Sequence, residues 1–195
     1  MSRGGFAALV AAVVVIAFGV TWVVAAQPGG GSAGPAADAP LGAPLTPASS
    51  GQAQCYGPNA GRRTCQSLAT YTKGANGEIE NTAHVLVIAR PVVVMRTASP
   101  VTITRQQVCG AIRRQDVESA DFTVDGEPAT AEQSTTLRRK MLAAMARLLG
   151  RQICTAYVPV GGAFVATATV DGAPDRRLDQ KVIWVSPDDG YSVGP

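Results

Sequence analysis

Apolar residues follow four different rhythms along this chain. From Phe6 to Ala26 they are continuous, 21 positions without a charge. A helix rises about 1.5 Å per residue, so this run spans about 30 Å, the thickness of a bilayer's hydrocarbon core. From Gln27 to Ser50 the rhythm disappears, and 16 of 24 residues are Pro, Gly or Ala. Such a stretch buries little and pairs poorly, which predicts a disordered linker over 27–54. Beyond it, short β-branched runs alternate with one stretch of helical period.

Ala83–Ala89 and Val92–Met95 read as two strands, or as one strand interrupted at Arg90-Pro91. Both faces are apolar, which places them centrally in a sheet. Thr104 and Gln107 have capping-box spacing, with Ile103 and Val108 at the staple positions, so a short helix is predicted from Thr104 to about Gln115. Asp121–Val124 is a short strand before an Asp125-Gly126 turn. The clearest helix is Ala131–Leu149. Thr130 and Gln133 form a second capping box, and Leu137, Met141, Met145 and Leu148 recur at helical spacing. Gln152–Val158, Ala163–Val170 and Lys181–Val185 read as strands, the first two joined through Gly161-Gly162. Trp184, the only tryptophan past the linker, is expected to pack against a helix.

Strands followed by helices and a strand meander predict an α+β domain. It would have an antiparallel or mixed sheet with one long and one shorter helix on one face. The hexapeptides TVDGEP (123–128) and TVDGAP (169–174) match each other, but their flanks do not. They predict two similar Asp-Gly turns and no duplicated domain.

Charge then gives an address. Arg3 precedes the apolar run, and no Lys or Arg occurs from Gln27 to Gly61. The positive-inside rule therefore puts residues 1–5 in the cytoplasm, 6–26 across the membrane and the domain, 55–195, outside. Trp22 suits an interfacial anchor. The alternative is a signal peptide cleaved after Ala26, with secretion of the rest. Both destinations are oxidising. Cys55, Cys65, Cys109 and Cys154 all lie past the membrane segment, and an even count there predicts two disulfides. Of three pairings, Cys55–Cys65 with Cys109–Cys154 is favoured, because the turn-rich YGPNAGRRT closes a short loop easily. In that reading Cys109–Cys154 joins a helix to a strand.

Chemistry is sparse. The chain has one His, His84, expected as a packed strand residue. No nucleophile elbow, S-x-x-K, paired CxxC or phosphate loop is present. Asp171, Asp175 and Asp179 lack the pattern of a calcium loop and read as structural. No catalytic residue, metal ligand or cofactor is assigned. The net charge of +3 is too weak for nucleic acid. It divides unevenly, however, with 13 basic and 8 acidic residues from Cys55 to Cys154, against 3 and 5 beyond. Basic pairs stand at Arg62-Arg63, Arg113-Arg114, Arg138-Arg139-Lys140 and Arg176-Arg177. These point to an anionic surface or an acidic envelope partner. The expected function is a membrane-tethered, non-enzymatic binding or scaffolding domain of the cell envelope. The alternatives are a small hydrolase using acidic residues, or a domain holding a small apolar ligand between helix 131–149 and the sheet.

Overall fold

A computed structural model describes residues 40–195. The expected tail (1–5), membrane helix (6–26) and the first part of the linker (27–39) lie outside the described residues. Among the described residues no helix is long and apolar enough to cross a membrane. In chain order the elements are β1 (Ala53–Tyr56), β2 (Thr64–Cys65), β3 (Ser67–Lys73), β4 (Ile79–Ala89), β5 (Val92–Thr104) and β6 (Gln107–Ala111). After these come α1 (Arg114–Glu118), β7 (Asp121–Val124), β8 (Glu127–Pro128) and α2 (Ala131–Ala144). The last are β9 (Gln152–Val160), β10 (Ala163–Val170), β11 (Ala173–Pro174), β12 (Gln180–Val185) and β13 (Ser192–Val193).

The expected α+β sheet with helices on one face is overturned. Eight antiparallel strands run in the order β4-β3-β1-β12-β10-β9-β6-β5, and β5 pairs back onto β4. That last pairing closes a barrel. The reason lies in two long strands: β4 has 11 residues and β5 has 13, meeting at a two-residue turn at Arg90-Pro91. The second half of β5 pairs with β6 at Thr102–Thr104, and its first half pairs with β7 at Val93–Arg96. Closure removes the open edges that a flat sheet would expose.

The helix expected over 104–115 is instead a turn and a strand. Arg105 and Gln106 both take left-handed φ, 50° and 62°, and reverse the chain into β6. Two consecutive positive φ values form a hairpin turn whose twist suits the flanking strands. Thr104 pairs with Gln107 across that turn. The predicted α2, by contrast, forms with its complete capping box, although it ends at Ala144. The hairpin at Gly161-Gly162 is also present. The twin TVDG turns adopt one geometry: Asp125 and Asp171 have φ of 51° and 50°, and each is followed by a positive-φ glycine. Each aspartate accepts a backbone N–H at the start of the neighbouring strand, from Val92 and Gln152 respectively.

Inward-facing rows fill the barrel. Small residues, Ala69, Ala83, Ser99, Ala166 and Ala168, leave room for the buried rings of Tyr56 and Tyr71. Eight strands enclose a space that side chains alone can fill. At one end, Leu137, Met141 and Met145 pack with Val93, Met95, Phe122, Ile153 and Val170. The helices therefore plug a barrel end and do not cover a sheet face. At the other end, residues 40–52 fold onto the mouth and 53–54 enter β1, although composition places them in the linker. Leu41 and Leu45 are buried, and a 3-10 turn at Thr46–Ser50 leads into β1. Two leucines among the prolines supply the apolar anchor that composition alone obscures. Trp184 packs partly buried on this second cluster, which contains no residue of α1 or α2.

Both disulfides form as paired in sequence, Cys55–Cys65 and Cys109–Cys154. The second does not join a helix to a strand. Cys109 and Cys154 face each other in register on β6 and β9, with Cα atoms 4.0 Å apart.

Candidate functional site

The side chains with chemistry fall into three groups: a buried polar cluster, isolated surface groups and a basic cleft. In the buried cluster, Gln54 Oε1 accepts from Tyr71 at 2.7 Å, Tyr56 at 2.9 Å and Tyr157 at 3.1 Å. A carbonyl oxygen offers two lone pairs. Three hydroxyls therefore compete for it, and the 2.8 Å contact between Tyr56 and Tyr157 lets one donate to the other. Burial raises all three phenol pKa values; at Tyr56 and Tyr71 the neighbouring phenols add to the rise. These hydroxyls stay protonated and link three strands, β1, β3 and β9. Among the described residues, Gln54 Nε2 and Asn81 Oδ1 have no hydrogen-bond partner in this interior. The sequence reading missed this cluster. Tyr56, Tyr71 and Tyr157 are far apart in the chain, and only the barrel register brings them together.

The surface groups are dispersed. His84 is exposed on the outer face of β4, not packed, and stands opposite Arg96. Its pKa is lowered by partial desolvation and then by the Arg96 charge. Asp171, Asp175 and Asp179 go to separate structural partners: the backbone of Gln152, the backbone of Arg177, and Ala168 N. Arg151 holds the Asp171 carboxyl below its ordinary range, and Arg177 does the same for Asp175. Among the described residues no three His, Cys, Asp or Glu side chains gather as metal ligands. No protein-family model, curated protein or solved structure matches this chain.

The third group is assembled from two of the basic pairs. α1 is only five residues long and is anchored from below. Arg113 grips the buried Asp116 through Nη2 at 2.6 Å and Nε at 3.0 Å, and Asp116 also accepts from Ser99 Oγ of β5. Arg138 on α2 spreads its fork over the Ala120 carbonyl just past α1, at 2.9 and 3.2 Å. The two helices are thereby clamped together. Between them lies an open cleft of about 480 Å³ lined by Arg114, Glu118, Thr135, Arg138, Arg139 and Leu142. A second cleft of about 720 Å³ shares Arg114 and Glu118 and runs along α1 toward Leu149 and Gln152.

The charges in this cleft are unequal. Arg113 is neutralised by Asp116, and Arg114 meets Glu118 at 3.6 Å in the open, a pairing worth little. Arg139 is exposed and, among the described residues, makes no ion pair. Guanidinium forks on rigid helices suit carboxylate, sulfate or phosphate oxygens. Arg62-Arg63 lies elsewhere, with Arg62 on the Pro195 carbonyl, and Arg177 is engaged by Asp175.

Proposed function

We propose that this chain is a membrane-tethered cell-envelope protein whose barrel presents a binding site for an anionic partner at the α1–α2 cleft. The supporting observation is the meeting of Arg114, Arg138 and Arg139 on one open cleft, from segments over 20 residues apart. Two disulfides fit an exported, oxidising compartment. The apolar run at 6–26 supplies the tether.

The two alternatives draw less support. The space between α2 and the strands is packed core, filled by Leu137, Met141, Met145 and Phe122, so an apolar ligand has no room there. A hydrolase would use paired carboxylates, whereas Asp116, Asp171 and Asp175 are each engaged with an arginine.

The test is photo-cross-linking in native membranes, with the reagent placed at Thr135 of the full-length chain. A discrete adduct should form, and it should fall at least 10-fold with Arg114→Glu and Arg139→Glu together. Both side chains are exposed, so the fold should tolerate this double change. An adduct equally abundant in the charge-reversed chain, or none above background, overturns the reading.

A further inference from the structure

The β9–β10 hairpin contains no charged residue from Gln152 to Val170. On the β9 side it joins the barrel wall through β6, which pairs with Gln152–Thr155, and on the β10 side through β12, which pairs with Phe164–Ala166 close to the turn. Above Thr155, β9 has no partner in β6. From there to Val160 the outer edge of β9 is open, while β10 on its other side stays paired with β12 up to Phe164, and the Val160–Ala163 turn ends the hairpin at the rim. The outward side chains of this tip are Val158 and Val160, 47% and 55% exposed. They are the two large hydrophobic residues left exposed among the described residues. An exposed apolar strand edge is a liability in water.

Three further observations say what covers it. First, the N-terminal segment arrives at the same rim: Leu41 and Leu45 share a cluster with Tyr157 and Phe164, on the inner side of the tip. Second, only residues 27–39 separate this rim from the apolar run ending at Ala26. Those 13 residues reach about 45 Å at full stretch. Third, the flanking charges are basic. Lys181 is the charged residue of β12 and sits in register with Val165, and Arg105 stands in the turn before β6.

We propose that the β9–β10 tip is a membrane-contacting element. Val158, Pro159 and Val160 lie in the bilayer interface, and Lys181 and Arg105 face the lipid headgroups. This rests on the tether reading above, and it orients the barrel with its N-terminal rim on the membrane and the α1–α2 cleft facing away. Apolar side chains gain by leaving water at the interface, and basic residues gain near anionic lipid.

The experiment uses the full chain reconstituted in vesicles of phosphatidylcholine and phosphatidylglycerol. A polarity-sensitive dye is attached at Val160→Cys or, as reference, at Ala143→Cys on the exposed side of α2. The Val160→Cys dye should be quenched by nitroxide-labelled acyl chains at least 3-fold more than the reference and shielded from aqueous iodide. Carbonate washing of the same vesicles separates the two claims. A retained chain whose Val160→Cys dye is as open to iodide as the reference overturns the tip proposal alone. Release of the chain overturns the tether, and the tip proposal with it. Disulfide-linked Val160→Cys dimers would identify a second copy as the occupant and likewise overturn the proposal.

Discussion

The two ends of the barrel are closed by different means. One end is plugged by helices. α2 lays Leu137 and Met141 into an apolar cluster, and a buried Arg113–Asp116 pair fastens α1 to β5. The other end is covered by a strap of irregular chain, Pro40 to Gln52, with Leu41 and Leu45 as its anchors. Beneath the strap lies a polar layer of three tyrosines around Gln54. The helical end therefore relies on regular hydrogen bonding with apolar burial. The strap end relies on two leucines and a hydroxyl network. The difference teaches that a segment rich in Pro, Gly and Ala can still be structural, provided a few large apolar residues find a cavity to fill.

The disulfides give the largest test of this comparison. Cys109–Cys154 closes a loop of 45 residues between β6 and β9, whereas Cys55–Cys65 closes one of 10. Loop-closure entropy makes the first worth about 4 kcal/mol and the second about 2.7 kcal/mol. Denaturant unfolding of the two paired Cys→Ser variants should keep that order; a reversed order would show that strain or residual structure outweighs chain entropy. Next in size, Leu45→Ala and Met141→Ala should each cost about 2–5 kcal/mol. A loss below about 0.5 kcal/mol for Leu45→Ala alone would mean that the strap end contributes little to the fold.

The pH response separates the ends further. Raised phenol pKa values at Tyr56, Tyr71 and Tyr157 mean that the folded state keeps protons the unfolded chain gives up. That stability is intact below the ordinary phenol value of about 10 and is lost as pH rises through the raised native values. Chemical denaturation between pH 8 and 11.5 should show a decline that Tyr157→Phe makes shallower; an equal slope in the variant would contradict the network. At neutral pH, Tyr157→Phe should cost about 1 kcal/mol. The smallest effect expected is at the helical end, where Thr130→Ala removes an N-cap for about 1 kcal/mol or slightly less.

The same contrast decides what could be read in advance. Period and capping chemistry revealed α2, because Thr130, Gln133 and the Leu137–Met141 stripe are local signals. They also revealed β9, β10 and β12. The same letters misled at Thr104 and Gln107, where two non-glycine residues take left-handed φ at a conformational cost that composition does not display. β3 was invisible, since only Ala69 and Tyr71 mark its buried face. Closure through β4–β5 at one seam and β1–β12 at another depends on register over long separations, which no local pattern carries. Of the candidate site, the arginines were legible as pairs. Their meeting across α1 and α2 was not, because it depends on how a five-residue helix docks.

The β1–β12 seam also has a consequence in time. Tyr56 pairs with Val182, so a strand near the start of the folded part waits for one near the end of the chain. Until residues 180–185 have been synthesised, β1 and β10 keep raw edges and the cylinder stays open. Non-local pairing of this kind is slow to form and exposes aggregation-prone surface meanwhile. A protein built this way folds only once its last long strand is available, and a truncation before Gln180 should leave a sticky half-cylinder instead of a smaller stable domain.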